Sequence, residues 1–512
     1  MTTRTFWRHA ALALVAGALA CGDSEGPGGD PAEIELLDGN GQTAVPSAAL
    51  AAPLRVLVTD GDGAPLEGVE VEWEVVLGSG SVPASSVTAD DGVASAAFTL
   101  GPEIGQQSAR AILEGVAGSP VTFTATASVA GASGIQLMSV TPVPAGAPFV
   151  HDTYVRDGIA FMFAWDEGVR IFDVGNGMSG GTPAIPKQVG AIITGTANGG
   201  TVSPSVHNGW WFHNPVTSEK RYLFVGQEGP GSVGSSSSGD IHVVDVSNLA
   251  APVEVAFYHH PDQPDATEPT PVNRKAGVHN FWMDEPNQIL YAAYYNGGVV
   301  ALDVSGTLAG DLASRVISVI RPGGPGNTFT WGVQLANGSL YAIDMVSGFY
   351  QLQMQGGDLV LVSGGNNVPD RFSSDLWVHG SHAYTGTWGT RGAGNVGNVV
   401  KVWGLSGTGA PSLVNSVTIE NTGTVSDVQV SADGAWLAVT TEYGSNAGLY
   451  LYDLANPASP VFIDRYLVPS AGGGLHTGTI AEIGGRQYVF AARDPSPGGP
   501  AMMIFDVTDA VD

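Results

Sequence analysis

The chain has 512 residues, among them 72 Gly and 32 Pro, and only 13% of its residues are charged. Gly and Pro interrupt helices and supply turns, and 43% hydrophobic residues can form large cores, so we expect a folded, all-β protein. The 19 basic and 48 acidic residues give a net charge of −29, which repels phosphate backbones and anionic membrane surfaces and excludes nucleic acid as a partner.

Residues 1–21 have the pattern of an export signal. Two arginines precede an apolar run (10–20) that is too short to span a bilayer. The run ends in Ala-Leu-Ala-Cys, and because Cys21 is the only cysteine, no internal disulfide can form. The segment resembles a bacterial lipoprotein signal, in which this cysteine is lipidated. The alternative is an ordinary signal peptide cleaved at an A-x-A-like site formed by Ala18 and Ala20.

The lipoprotein resemblance implies a cellular location. It implies an exported protein at the bacterial outer membrane or cell surface, attached to the membrane through a lipid only. Residues 22–32 follow as a Gly-rich and acidic stretch, which predicts a flexible tether.

From 33 to 129 the chain consists of short alternating strands separated by turn signals, the spacing of a β-sandwich. Trp73 lies in mid-strand between valines and is expected to fill the core. The runs 58–76 and 119–127 resemble the bacterial immunoglobulin-like modules of surface adhesins. That resemblance implies a spacer that presents the rest of the chain.

After a short linker (130–133), an apolar strand ending in Asp or a near equivalent recurs through residues 134–512. Each copy follows another apolar strand, and several precede a polar turn and a further strand. Four strands per copy and seven copies predict a seven-bladed β-propeller. Because the last copy stops after its third strand, the strand at 134–142 is expected to complete it. The repeated strands are at 169–174, 241–246, 299–304, 348–353, 399–405, 449–454 and 502–507.

The repeated strand and its turn carry a family resemblance. VRIFDV (169–174) and DLANPASP (453–460) resemble the LVIVD-type propellers of bacterial surface proteins. The resemblance extends over residues 134–512 and weakens in copies four and five, where Gln353 and Gly404 replace the Asp. It implies the propeller fold and a surface location, but no single chemistry.

The sequence GAGNVG (392–397) matches the G-x-G-x-x-G dinucleotide fingerprint. That fingerprint needs a parallel strand before it and a helix after it. Here it joins two antiparallel strands of the fifth copy, so we interpret it as a hairpin loop.

Aligning the copies on their first strands reveals four histidines at one position of the repeat. In a propeller these strands surround a central channel, so the seven positions should form a ring at one mouth, with the four histidines adjacent. Because side chains alternate along a strand, only one of each pair of neighbouring residues is expected to face the channel. The aligned residues are His151, His207, His279, Trp331, Ser374, Ser426 and His476.

The aligned histidines suggest a binding site. Neutral imidazoles of His151, His207, His279 and His476 could hold iron, copper or zinc. Against these stands the interpretation that each histidine caps strand and loop backbone groups as part of the repeat's own hydrogen bonding, and a polar ligand site without metal is the further alternative. The candidate ligand-binding residues are His151, Asp152, His207, His279, Trp331, Asp375, Asp427 and His476.

Long connections are predicted at the same mouth, where loops on a rigid scaffold commonly carry recognition. One of them contains His259, His260, Asp262 and Asp265, a second candidate metal cluster that solvated loop polarity also explains. The loops span 194–206, 227–240, 259–277 and 386–398.

Three functions fit these features. The first is a non-enzymatic envelope lipoprotein whose propeller face binds an unidentified ligand or partner protein. The second is a metal-dependent oxidoreductase or hydrolase that uses the histidine cluster. The third is a structural component of the envelope.

Overall fold

The computed structural model describes most of the chain from residue 29 onward. The predicted export signal and Cys21 lie outside the described residues. Among the described residues, no helix is both long and apolar enough to cross a membrane. The described ranges are 29–44, 47–101, 105–127, 134–143, 149–195, 204–228, 239–262, 277–365, 371–388, 396–406, 409–468, 470–493 and 499–511.

The first eight strands form two sheets that share one core. They are β1 (Glu33–Asp38), β2 (Gln42–Ala44), β3 (Leu54–Thr59), β4 (Glu70–Leu77), β5 (Ser85–Val87), β6 (Val93–Ala96), β7 (Gly105–Ile112) and β8 (Val121–Ala127). One sheet has the order β1-β3-β6 and the other β2-β8-β7-β4-β5. Trp73 is buried in this core, as predicted, with its ring centroid 5.9 Å from that of Phe123.

The rest of the chain begins with β9 (Gln136–Pro142) and continues as antiparallel meanders of four strands each. The first meander is β10 (Asp152–Arg156), β11 (Ile159–Phe163), β12 (Val169–Asp173) and β13 (Lys187–Ile192). The second is β14 (Val206–Phe212), β15 (Tyr222–Gln227), β16 (Ile241–Asp245) and β17 (Val253–Tyr258).

The third meander is β18 (Phe281–Asp284), β19 (Ile289–Ala293), β20 (Val299–Asp303) and β22 (Val316–Ile320), with the short β21 (Gly310–Asp311) and a 3₁₀ turn (Ala313–Arg315) before β22. The fourth is β23 (Thr330–Ala336), β24 (Ser339–Asp344), β25 (Gly348–Gln355) and β26 (Asp358–Gly364). The fifth is β27 (Phe372–His379), β28 (His382–Trp388), β29 (Val399–Gly404) and β30 (Ser412–Thr418).

The sixth meander is β31 (Thr424–Val430), β32 (Trp436–Gly444), β33 (Gly448–Asp453) and β34 (Val461–Leu467). The last is β35 (Ser470–Ile483), β36 (Arg486–Arg493) and β37 (Ala501–Asp506), followed by the one-turn helix α1 (Thr508–Val511). Each repeated strand of the sequence is thus the third strand of a meander.

The last meander takes its fourth strand from the start of the region. β9 pairs antiparallel with β37, with Val140 opposite Met503 and Ser139 opposite Ile504. The expectation that this early strand completes the last copy is confirmed. A buried cluster that includes Ala160 and Phe490 also joins the first meander to the last. The meanders therefore pack in a circle, as the sheets of a β-propeller do.

The repeated Asp caps the turn that follows the third strand. Asp245 Oδ1 accepts a hydrogen bond from the Ser247 N–H at 3.0 Å, and Asp303 Oδ1 accepts one from Ser305 at 2.8 Å. Asp173 accepts five backbone N–H bonds, from residues 175, 176, 177, 179 and 181. Burial opposes ionisation of Asp173, but these donors lower its pKa to about 2. The residue that defines the repeat therefore stabilises the fold.

Candidate ligand-binding channel

The first strand of each meander begins at a β-bulge, and the aligned residue of the repeat lies at this bulge. In the second meander, Val206 pairs with Gln227 and Asn208 with Gly226, so the pairing skips His207. The pairing of β23, β31 and β35 shifts in the same way. In the first meander, the backbone N–H of His151 donates to the Phe163 carbonyl, although Asp152 is the residue paired with Phe163. Two residues therefore face one on the partner strand here as well.

These bulges correct one expectation. We predicted that only one residue of each neighbouring pair faces the channel. That prediction is wrong, because a bulge sets two residues against one on the partner strand and turns both toward the same side. His207 and Asn208 both line the central cavity, as do His476 and Thr477.

Six aromatic rings close on one another at the mouth of the channel, and we call them the mouth ring. The four histidines stand in the predicted order, and two tryptophans complete the circle. Ring centroids are 4.2 Å apart for His476–His151, 3.9 Å for His151–His207, 4.1 Å for His207–His279, 3.9 Å for His279–Trp331, 5.2 Å for Trp331–Trp388 and 6.0 Å for Trp388–His476.

The side chain of His207 is buried without a hydrogen-bond partner. It is 1% exposed, and neither of its ring nitrogens has a partner among the described residues. Nδ1 of His279 is in the same situation. Burial, and then the neighbouring imidazoles, hold the pKa of both rings well below the usual value, so both rings are neutral. The interpretation of these histidines as backbone caps does not hold for His207.

Glu228 lies beside the histidines, and the sequence did not single it out. Its carboxylate is buried and accepts a hydrogen bond from the Tyr295 hydroxyl. Glu228 Oε2 lies 3.8 Å from His151 Nε2. Ligand atoms of His151, His207 and Glu228 all lie within 4.8 Å of one another. Glu228 directly follows β15, and its N–H donates to the Ser205 carbonyl at 3.1 Å, which places it at the start of β14 beside the bulge that holds His207.

A second buried carboxylate, that of Glu442, supports the other end of the histidine arc. His476 Nδ1 lies 3.2 Å from Glu442 Oε2, and the Ser426 hydroxyl donates to the same oxygen at 2.8 Å. Ser374, the aligned residue of the fifth meander, donates to the Val425 carbonyl at 2.5 Å. The two aligned serines thus serve the framework of the mouth.

Below the mouth ring lies a carboxyl layer formed by Asp152, Asp375 and Asp427. All three residues line the cavity. The Asn280 amide donates to Asp375 Oδ1 at 2.6 Å, and the Gly478 N–H donates to Asp427 Oδ2 at 2.8 Å. Burial and the neighbouring Asp427 raise the pKa of Asp375 well above its ordinary value. The same two causes raise the pKa of Asp152 to about 7.

Two residues further along the strands lies an aromatic arc formed by Tyr154, Trp210, Trp282 and Trp377. Because side chains alternate beyond the bulge, these rings point to the same side as the carboxyl layer. Successive ring centroids are 5.4, 5.3 and 6.0 Å apart. The arc is half-buried and, with the carboxyl layer and the histidines, lines a cavity of about 250 Å³.

The second candidate metal cluster is not assembled in the structure. His259 Nδ1 lies 2.5 Å from Asp240 Oδ1, and Asp262 pairs with Arg321. His260 Nδ1 instead accepts the N–H of Asp262 at 3.1 Å. Each side chain therefore has its own structural partner, while Asp265 lies outside the described residues.

Most of the predicted recognition loops also lie outside the described residues. The undescribed parts are 196–203, 229–238, 263–276 and 389–395. The last of these covers much of the G-x-G-x-x-G match.

Comparisons with known proteins agree with the fold. The LVIVD repeat model matches residues 236–259 and 422–468, which contain the third and fourth strands of the second meander and all four strands of the sixth. No curated protein matches the sequence.

Three solved propellers are similar at low identity. The β-propeller domain of Myceliophteria thermophila Cps50 (Swd1) is 10% identical, with a TM-score of 0.47 over 73% of this chain and 100% of that chain. The Pseudomonas aeruginosa periplasmic gluconolactonase PpgL is 14% identical, with a TM-score of 0.42 over 68% and 94%. The WD40 β-propeller domain of Doa1 is 9% identical, with a TM-score of 0.44 over 73% and 97%. At these values the likeness carries no information about ligand or reaction.

The circular packing of the meanders, the shared channel and the LVIVD match define the class of the molecule. It is an all-β protein that contains a β-propeller.

Proposed function

We propose that this protein is a binding protein whose propeller channel takes a small organic cation. The observation that carries the proposal is the lining of the cavity, where the carboxyl layer meets the aromatic arc. Carboxylates attract a positive charge, and the faces of Trp and Tyr attract it as well.

The charge of the lining supports a cationic ligand. Asp152, Asp375 and Asp427 all face the cavity, and none of the described residues that line it is Lys or Arg. Arg156, in the same strand as Tyr154, is held by Glu285, with Nη1–Oε1 and Nη2–Oε2 distances of 2.5 and 3.2 Å. Buried carboxyl groups without a cation are costly, so a ligand that brings a positive charge stabilises the layer.

The aromatic arc supports an organic ligand rather than a bare ion. Tyr154, Trp210, Trp282 and Trp377 come from four different meanders, and their rings remain half-buried beside the cavity. An ammonium group gains from ring faces within about 6 Å, and its carbon substituents gain from apolar contact with the same rings.

The remaining parts of the molecule fit a tethered binding protein. We propose that the meanders form a seven-bladed propeller, that residues 33–129 are an immunoglobulin-like spacer, and that a lipid on Cys21 anchors the protein to the envelope. Incorporation of labelled fatty acid in the bacterial host tests the anchor. Labelling should disappear in Cys21→Ser, and labelling that persists in this variant would refute the assignment.

Calorimetric titration of the full-length chain with choline, in the presence of a chelator, tests the ligand class. The matched probe is the neutral isostere of choline, in which a quaternary carbon replaces the nitrogen. We expect choline to bind at least about tenfold more tightly than the isostere. Equal affinity for the two probes would contradict the proposal, as would the failure of choline, tetramethylammonium and a primary amine to bind at millimolar concentration.

Variants connect this binding to the carboxyl layer. Asp375→Asn and Asp427→Asn keep the shape of the side chain and remove the carboxyl group that can carry a negative charge beside a bound cation, so each should weaken choline binding about tenfold. Asp358→Asn makes the same charge change at an exposed position of β26 and should have no effect. An equal loss in all three variants would show that net charge, and not the channel, attracts the ligand.

A further inference from the structure

We infer that the mouth of the channel is a binding site for one divalent transition-metal ion, with His151, His207 and Glu228 as its protein ligands. This site uses different atoms from the organic-cation site and stands without it. The inference rests on the geometry of the donors, on an unpartnered buried side chain, and on the chemistry of the donor set.

The donor geometry fits a single ion. Ligand atoms of His151, His207 and Glu228 lie within 4.8 Å of one another. Two ligands bonded to one ion at about 2.0–2.2 Å cannot be more than about 4.4 Å apart, so small side-chain rotations bring all three into contact with the ion. His151 and His207 come from adjacent meanders, and Glu228 follows the strand that pairs with β14.

The buried ring nitrogens of His207 are energetically unfavourable without a bonding partner. A buried polar group without a hydrogen bond costs about 1–3 kcal/mol, and such groups are rare in folded proteins. His207 has two of them, and its ring is packed between those of His151 and His279. A metal ion satisfies a neutral imidazole nitrogen directly, because the lone pair that lacks a hydrogen-bond donor is the one that binds the ion.

Neighbouring side chains hold two of these groups in place. The Tyr295 hydroxyl donates to Glu228 Oε1, so the other oxygen, Oε2, is the one that faces His151. The indole of Trp165 lies against His151 with a centroid distance of 5.3 Å and an interplanar angle of 22°. Groups that orient ligands in this way are a regular part of metal sites.

The donor set indicates the class of metal. Two imidazoles and one carboxylate suit Zn²⁺, Fe²⁺, Co²⁺ and Ni²⁺, whereas Ca²⁺ and Mg²⁺ prefer oxygen ligands alone. Three protein ligands leave further coordination positions open. His279 and His476 are in ring contact with His207 and His151, so these positions face imidazoles and the cavity.

Titration of the metal-free, full-length chain with Co²⁺ tests the site, followed by calorimetry and by the visible absorption of the bound ion. We expect one equivalent to bind and to give the spectrum of a nitrogen- and oxygen-ligated ion. His207→Phe should weaken binding at least about 100-fold, and Glu228→Gln about tenfold. His382→Phe, at the far end of β28 from the mouth, is the matched control and should bind like the parent.

Several outcomes would overturn the inference. They are the absence of stoichiometric binding for Co²⁺, Zn²⁺, Ni²⁺ and Fe²⁺, unchanged affinity in His207→Phe, and an equal loss in His382→Phe. Should His207→Phe fail to fold, Glu228→Gln decides alone, because it preserves shape, and unchanged Co²⁺ affinity in it refutes the site. The choline titration contains a chelator, so failure of either proposal is seen independently of the other.

Discussion

Buried polar side chains in the body of the meanders and at the channel mouth differ in the hydrogen-bond partners that the fold gives them. In the body, Asp173 receives five backbone donors, and His242 Nδ1 lies 2.5 Å from the carboxylate of Glu254, although Nε2 of His242 has no partner among the described residues. At the mouth, His207 is as deeply buried as His242, yet neither of its ring nitrogens has a partner among the described residues.

The contacts of Asp173 stabilise the fold, whereas the unpartnered nitrogens of His207 fit the metal-ligand role that we propose for it. The bulge itself is common to the meanders, because Trp331 and Ser426 occupy it as well as the histidines. The backbone therefore does not require an imidazole there. Repetition of a residue shows that a position is structurally equivalent, and only its contacts show whether it stabilises the fold.

Replacing the two buried histidines should give the largest contrast. His242→Phe removes the imidazole that pairs with the buried Glu254 and leaves the Gly195 N–H as a donor to that carboxylate, so it should lower the free energy of unfolding by about 3 kcal/mol. His207→Phe removes two unsatisfied nitrogens and should leave the stability of the metal-free protein unchanged or raise it by about 1 kcal/mol. Urea denaturation of both variants measures the difference. A comparable loss of stability in His207→Phe would assign that residue to the fold.

The turn cap should show the next largest effect. Asp173→Asn should lower the free energy of unfolding by about 2–3 kcal/mol, because charged acceptors make the stronger hydrogen bonds. Asp303→Asn is the matched control, since this Asp at the same repeat position is more exposed and caps fewer groups. It should cost about 1 kcal/mol or less. Equal losses would mean that the extra donors of Asp173 add nothing.

The lowered pKa of Asp173 predicts that the stability difference between the parent and Asp173→Asn depends on pH. The pKa of Asp173 is lowered to about 2, so the carboxylate contributes stability above the ordinary Asp pKa and loses that contribution as the pH falls toward 2. The stability gap between the parent and Asp173→Asn should therefore be constant above about pH 5 and narrow below pH 4. Urea titrations at several pH values measure it, and a gap that widens in acid would contradict the assignment.

Much of this architecture could be predicted from the sequence. The repeated strand fixes the third strand of each meander, and the missing last strand points to β9, because both follow from a simple period. The four histidines were also placed correctly around the mouth, since residues at equivalent repeat positions must lie on one ring.

The chemistry of the site could not be predicted to the same extent. Glu228 belongs to a loop without periodicity, and its proximity to His207 depends on the pairing of β14 with β15. At the residues that line the channel, the bulges turn two neighbouring side chains toward the same side, so the usual alternation along a strand does not apply there. Trp388 joins the mouth ring from the second strand of its meander, so aligning first strands could not reveal it.

Replacing a tryptophan of the aromatic arc should weaken the binding of choline and leave the binding of Co²⁺ unchanged. Trp282→Leu removes a ring face from the cavity and should weaken choline binding about fivefold, while the affinity for Co²⁺ remains that of the parent. Parallel calorimetric titrations measure both affinities. A loss of both would show that the variant perturbs the channel as a whole, and the two sites would then not be separable.

The smallest effect is expected for the serine at the bulge of the fifth meander. Ser374→Ala removes the hydrogen bond to the Val425 carbonyl and should cost about 1 kcal/mol of stability. Co²⁺ should bind this variant as it binds the parent. A large loss of Co²⁺ affinity would extend the metal site beyond the histidine side of the mouth.

Anomalous diffraction from crystals of the full-length chain soaked in Zn²⁺ tests the metal site most directly. We expect one strong peak at the mouth of the channel, about 2.0–2.2 Å from a ring nitrogen of His151, a ring nitrogen of His207 and an oxygen of Glu228. A map without a peak at the mouth, or with peaks at surface carboxylates only, would contradict the assignment of His207 as a metal ligand.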